Sequence, residues 1–136
     1  MNATLLYLDA SAIVKLAVPE PESRALFELL ENWPERVSSA LAQVEVLRAL
    51  RRSGAPASAY RRGEQVLARL ALIRLHDSIL AEAASLEPPN LRALDAIHMA
   101  TALSLRGDLA AFVTYDRRLA EAAAAARLKV WAPGTS

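Results

Sequence analysis

LYLDASAIVKL, Leu6 to Leu16, is an apolar run near the start of the chain that breaks at a single carboxylate, Asp9. Thr4 to Leu8 (TLLYL) is short, apolar and compatible with a strand, and Ser11 is suited to cap a helix that follows. The stretch predicts a strand-to-helix turn with Asp9 at the strand's carboxyl end. A lone carboxylate among Leu, Val and Ile loses much of its hydration. That costs on the order of several kcal/mol unless the group is protonated, hydrogen-bonded or compensated by a cation.

The same alternation of short strands and helices continues along the chain. Pro19 and Pro21 end the first short helix, and PESRALFELLENW (Pro21 to Trp33) places Leu26, Leu29, Leu30 and Trp33 at helical spacing. Arg36 to Ser39 (RVSS) reads as a second strand, and Ala40 to Gly54 as a helix closed by its glycine. Pro56 opens a helix through Ala71; Leu72 to Leu75 is a third strand, and Asp77 caps the next helix, which Pro88-Pro89 ends. LRALDAIHMATALSLRG (Leu91 to Gly107) is a further helix. Ala111 to Tyr115 is a fourth strand stopping at Asp116, and Leu128 to Trp131 a fifth after an Ala-rich helix. The pattern predicts an α/β fold: one short parallel sheet of four to five strands with helices on both faces.

With 136 residues, 54% of them hydrophobic, one domain accounts for the whole chain, and no Gly/Ser linker or repeat divides it. Cysteine is absent, which excludes a disulfide frame, a thiolate nucleophile and a Cys-bearing zinc site. No basic leader precedes the first apolar run, and no stretch reaches the roughly 18 to 20 apolar residues that span a bilayer. A soluble cytoplasmic protein without membrane association is the expectation. The net charge of +1 announces no nucleic acid, but arginines come in pairs at Arg51/Arg52, Arg61/Arg62 and Arg117/Arg118. Each pair suits phosphate oxygens and equally suits ion pairs with the ten glutamates on a solvated face.

Four acids stand in apolar surroundings: Asp9 and Asp116 where strands end, Glu45 within ALAQVEVLRAL, and Asp95 within LRALDAIHMATAL. Singly, each has a structural explanation. Asp9 and Asp116 suit helix N-caps, Asp95 a first helical turn, and Glu45 an i, i+3 pair with Arg48. Jointly they suggest a ligand site at the carboxyl edge of the sheet. Carboxylates gathered there repel one another, and a divalent cation keeps them ionised; an all-oxygen set favours Mg²⁺ or Mn²⁺. His76 is expected to face solvent, and His98, three residues after Asp95, either orients that acid or packs in the core.

LDASAIVKL, the glutamate of AQVEVLRAL, LDAIHMATAL and FVTYDRRL together resemble the PIN-domain family, in particular the VapC-type toxins of bacterial toxin–antitoxin pairs. The likeness runs from Leu5 to Trp131 with the motifs in family order. It implies a PIN-like fold and an Mg²⁺- or Mn²⁺-dependent endoribonuclease. Carried over by position, Asp9, Glu45, Asp95 and Asp116 correspond to the acidic catalytic quartet, with Asp9, Asp95 and Asp116 as metal ligands. Ser11 and Thr114 match the hydroxyl residues that hold carboxylates in place. Lysine is scarce, so RNA contacts fall to arginines such as Arg51, Arg52, Arg117 and Arg118. The likeness also implies a VapB-like antitoxin partner and a homodimer.

Four rival readings are weighed against these residues. A dehalogenase-type phosphatase needs a second Asp two residues after the first, where this chain has Ser11, and a receiver domain needs adjacent acids after its first strand. A non-catalytic acidic-pocket module binding RNA or a partner has no use for four uncompensated acids. A PIN-type RNA-processing nuclease outside any toxin pair shares every residue named above.

Overall fold

Strand β1 (Leu5–Leu8) forms where the sequence is most continuously apolar, and its side chains divide between two cores as the pleat requires. Leu6 and Leu8 enter one core and Tyr7 the other, all three fully buried. The structure, a computed structural model, describes residues 2–135. The remaining strands are β2 (Arg36–Ser39), β3 (Ala71–Ile73), β4 (Leu109–Val113) and β5 (Val130–Trp131). They pair in the order β3-β2-β1-β4-β5, every neighbour parallel. From β1 the chain builds outward through β2 and β3, then returns to the other side of β1 with β4. The β1/β4 seam is therefore the point at which strand order reverses, and the crevice outside its carboxyl end is where such sheets bind ligands.

Helices cover both faces. On one side α1 (Ala10–Ala17), α2 (Ser23–Glu31), α3 (Leu41–Arg52) and α4 (Ala57–Arg69) pack Ile13, Leu26, Val46, Leu50 and Leu67 against Leu6, Leu8 and Val113. On the other, α6 (Ala93–Ser104) and α7 (Arg117–Ala125) pack Met99, Ala102 and Leu119 against Tyr7 and Phe112. α5 (Asp77–Ser85) lies along α6, and a 3-10 turn (Arg106–Asp108) leads into β4. Gly54 closes α3 as expected, with φ +71°. Among the described residues no helix is long and apolar enough to cross a membrane.

The differences from the sequence reading are local. Asp9, not Ser11, caps α1, its side chain accepting from the Ala12 N–H, while Ser11 lies inside the helix. His76 takes the cap position of α5 without a side-chain cap bond, and Asp77 is the first helical residue. β3 covers Ala71–Ile73 rather than 72–75, and β4 covers Leu109–Val113 rather than 111–115. In β4 the pairing with β1 decides: Leu109 already bonds opposite Leu5, and the chain past Val113 leaves the ladder to place its acid.

Candidate active site

Asp9 leaves β1 at the reversal point, its own N–H bonded to the Val113 carbonyl across the seam at 3.2 Å. The side chain is 3% exposed yet fully engaged. Its Oδ1 accepts from Ser11 Oγ at 2.7 Å and the Ala12 N–H at 3.0 Å, and its Oδ2 from Thr114 Oγ1 at 2.6 Å. Burial pushes this carboxyl above the ordinary range, and those three hydrogen bonds, with the charge of His98, pull against it.

Two hydroxyls stitch the seam. Thr114 Oγ1 donates to Asp9 and accepts from the Asp116 N–H at 3.0 Å, so one buried side chain places both strand-end acids. Ser11 Oγ donates to Asp9 and accepts from the Tyr115 N–H at 2.9 Å. Asp116 caps α7 through Oδ1, which accepts from the N–H groups of Arg118 and Leu119 at 2.9 and 3.2 Å. Its exposed side chain retains an oxygen with no protein hydrogen bond among the described residues. The capping role and a site role are thus compatible in one residue.

Asp95 sits half-buried in the first turn of α6. Its carboxyl is raised first by burial and next by the charge of Asp116, with a smaller push from Glu45; His98 and Arg92 oppose the shift. Asp95, Asp116 and Glu45 therefore share one field. Glu45, on α3, is held by His98 Nε2 at 2.6 Å from Oε1, and His98 Nδ1 lies 2.7 Å from the Tyr7 hydroxyl. His98 is thus buried and serves Glu45 rather than Asp95, and the alternative Glu45–Arg48 ion pair does not form. His76 is exposed, as expected.

The arginines divide by position. Arg117 and Arg118 are exposed in the first turn of α7, directly after Asp116. Arg51 and Arg52 are exposed in the last turn of α3, about 9 and 10.5 Å along the helix axis from Glu45 at about 1.5 Å per residue. Arg92, which the sequence did not single out, joins Asp95, Arg118 and Glu121 around a cavity of about 500 Å³. Tyr7 has as its only sequence signal an inward-facing strand position beside an acid-bearing turn.

The chain matches the PIN domain family over residues 6–125. It is 51% identical to Ribonuclease VapC46 of Mycobacterium tuberculosis, over 94% of this chain and 97% of that protein. It is 44% identical to Ribonuclease VapC35 of the same organism, over 96% and 98% of the two chains. Among solved structures, M. tuberculosis VapC20, a sarcin-ricin loop cleaving toxin, superposes with a TM-score of 0.69 at 14% identity, covering 90% of this chain and 95% of that one. A toxin-antitoxin complex from Klebsiella pneumoniae gives 0.65 at 22%, covering 83% and 88%. Sequence motifs, strand order and two near-full-length relatives agree: this chain belongs to the PIN-domain family, on its VapC branch.

Proposed function

We propose that the carboxyl-edge acids hydrolyse RNA phosphodiester bonds with the aid of a divalent cation, and that the chain is the toxin of a VapBC-type pair. The observation that carries this reading is the pair of strand-end acids, Asp9 and Asp116, tied together through the Thr114 hydroxyl at the reversal point of the sheet, with the half-buried Asp95 raised by burial and by the charge of Asp116. The donor set fits Mg²⁺ or Mn²⁺: it is all oxygen, and the burial and the Asp116 charge that together raise Asp95 are both offset by positive charge. Among the described residues no three His, Asp or Glu side chains close into a finished cage. An ion that keeps several of its waters needs only one or two direct carboxylates.

Asp9, Asp95 and Asp116 would hold the ion, directly or through water, with Ser11 and Thr114 fixing the Asp9 carboxylate. When bound, it would supply neutralisation of the phosphate, a lowered pKa for an attacking water and stabilisation of the leaving oxygen. Glu45 has one oxygen committed to His98 and the other without a protein partner among the described residues, which suits it to orient that water. Arg117 and Arg118, on the same rim, suit backbone phosphates; Arg51 and Arg52 would serve a more distant part of the RNA. No side chain need become a covalent nucleophile.

The antitoxin reading is supported by a groove of about 400 Å³ between α2 and α4. Phe27, Leu30 and Val66 line it, with Arg62 and Arg69 at its rim, and Phe27 is 51% exposed. An amphipathic antitoxin segment would cover that apolar strip. A basic side chain at its end would compete with the cation for the acids. Self-association belongs to the same proposal, with Leu80 and Leu94, 43% and 49% exposed, as the apolar positions a second copy would cover; light scattering of the purified chain tests it.

The test is cleavage of total cellular RNA by the antitoxin-free protein with Mg²⁺ or Mn²⁺. Discrete fragments are expected, lost with EDTA and reduced at least ~100-fold in Asp95→Asn. Folded protein that binds neither Mn²⁺ nor cleaves RNA would instead be a non-catalytic acidic-pocket module. Cleavage in a genome lacking an adjacent small antitoxin gene would make it a processing nuclease.

A further inference from the structure

We infer that His98, held by Tyr7, is the positioning residue of Glu45: a Tyr7–His98–Glu45 relay runs under the site and fixes which way the glutamate faces. The inference rests on the nuclease reading for its functional consequence, but the relay itself is geometric. Its three residues come from β1, α6 and α3, elements far apart in sequence that meet beneath the carboxyl edge.

The hydrogen placement follows from chemistry. Glu45 Oε1 can only accept when ionised, so the 2.6 Å contact requires a proton on His98 Nε2. In a neutral ring Nδ1 then accepts from the Tyr7 hydroxyl at 2.7 Å, and in a ring that carries the charge acting on Asp9 and Asp95 the Nδ1–H donates to the same oxygen, so the contact holds in both forms. Tyr7 is suited to that role. It is fully buried, stacked on Phe112 with centroids 5.0 Å apart and planes at 7°, and set edge-on to His98 at 5.8 Å. Burial holds its phenol well above the ordinary range, so the O–H is always present.

A simple packing histidine would satisfy its nitrogens with whatever backbone lay near. Here both ring nitrogens go to side chains, and the outer one ends on a glutamate that is only 21% exposed and has no other protein partner among the described residues. His98 is itself 1% exposed, so the ring cannot turn without losing both bonds. The glutamate's second oxygen is thereby directed away from the relay. The arrangement has the logic of a ligand-orienting outer partner, whose loss elsewhere typically costs about 10- to 100-fold in metal affinity or activity.

The experiment uses the full chain with His98→Leu, His98→Gln and Tyr7→Phe. Thermal unfolding checks the fold, calorimetric titration with Mn²⁺ reads the site, and kcat and KM are taken on one RNA fragment. ¹⁵N shifts of the His98 ring in the wild type read the tautomer. The Nε2–H form is expected whatever the activity proves to be, and a ring lacking that proton overturns the relay. His98→Leu should lower kcat about 10- to 100-fold with KM unchanged, and weaken Mn²⁺ binding by up to about tenfold. His98→Gln, which returns an N–H near the Nε2 position, should recover most of both losses. Tyr7→Phe should fall between wild type and His98→Leu.

Folded His98→Leu with wild-type kcat and Mn²⁺ affinity would overturn the inference, as would His98→Gln no better than His98→Leu. Should His98→Leu fail to fold, Tyr7→Phe decides: wild-type kcat and Mn²⁺ affinity there overturn the relay. Wild type that neither binds Mn²⁺ nor cleaves would overturn the nuclease reading, while the tautomer result would still stand or fall separately.

Discussion

Asp95 shows what gathering acids costs the fold. Its carboxyl is raised first by burial and then by Asp116, so its folded value lies above its unfolded one. For an acid shifted in this direction, the stabilising contribution is full below the unfolded pKa and lost as pH rises through the folded pKa. The repulsion is thus felt when Asp95 is ionised and vanishes on protonation. Asp95→Asn should therefore be more stable than wild type at neutral pH, by less than about 1 kcal/mol once solvent screening of a half-buried group is discounted. That is a rise of at most roughly 4 °C in Tm. The advantage should disappear on acidification below the ordinary carboxylate range. Parallel melts of both proteins across pH check this, and a variant less stable than wild type at neutral pH would show that Asp95 is favourably held instead. Added Mn²⁺ should stabilise wild type and leave the variant nearly unmoved.

Among the elements, α3 and α4 meet at a glycine that the sequence alone presents as a helix weakness. A Cβ at Gly63 would stand 2.7 Å from Leu50 Cδ1 and 3.8 Å from the Ala17 Cβ, so the position lies where α1, α3 and α4 converge. Alanine there gains ~1 kcal/mol in helix propensity, against about 1–3 kcal/mol for overpacking the buried Leu50 side chain, whose Cδ1 must shift to make room. Gly63→Ala should lower the urea midpoint by up to about 2 kcal/mol of stability at unchanged slope. A raised midpoint would mean that Leu50 moves freely. Legibility follows the same division between local and distant causes. Asp9 and Asp116 were readable because a carboxylate ending an apolar strand is anomalous within a window of ten residues. Glu45 and Asp95 were readable because each interrupts an apolar helix stretch. The His98 partnership was not, because Tyr7 and Glu45 lie 91 and 53 residues away from it and no period connects them. Of the two cap candidates the sequence offers for this turn, Asp9 takes the role, which leaves the Ser11 hydroxyl free for Tyr115, 104 residues on and equally beyond any local signal. Arg92 carried no anomaly at all until α6 placed it beside Asp95.

At the scale of the whole molecule, the site hangs from the part of the sheet least able to open. β1 is bonded on both sides, by β2 and β4, and its Leu6, Tyr7 and Leu8 are fully buried between the two helix layers. β3 is bonded on one side only and its three residues are half-buried or exposed. Local opening tracks buried apolar contact and ladder protection. Amides of β1 and of Phe112 and Val113 in β4 should therefore exchange only through global unfolding, and those of β3 at least about 100-fold faster through edge opening. Native-state hydrogen exchange at low denaturant separates the two. Equal protection in β1 and β3 would mean that the sheet opens as one unit. The gradient matters for chemistry because Asp9 and Thr114 are fixed to the slow centre, whereas Glu45 and Asp95 are carried on separate helices, α3 and α6. Geometry at the strand ends is set by the backbone ladder together with the Thr114 and Ser11 hydroxyls. Geometry at the helices needs a side-chain tie, and the bond from His98 on α6 to Glu45 on α3 supplies one between those two helices.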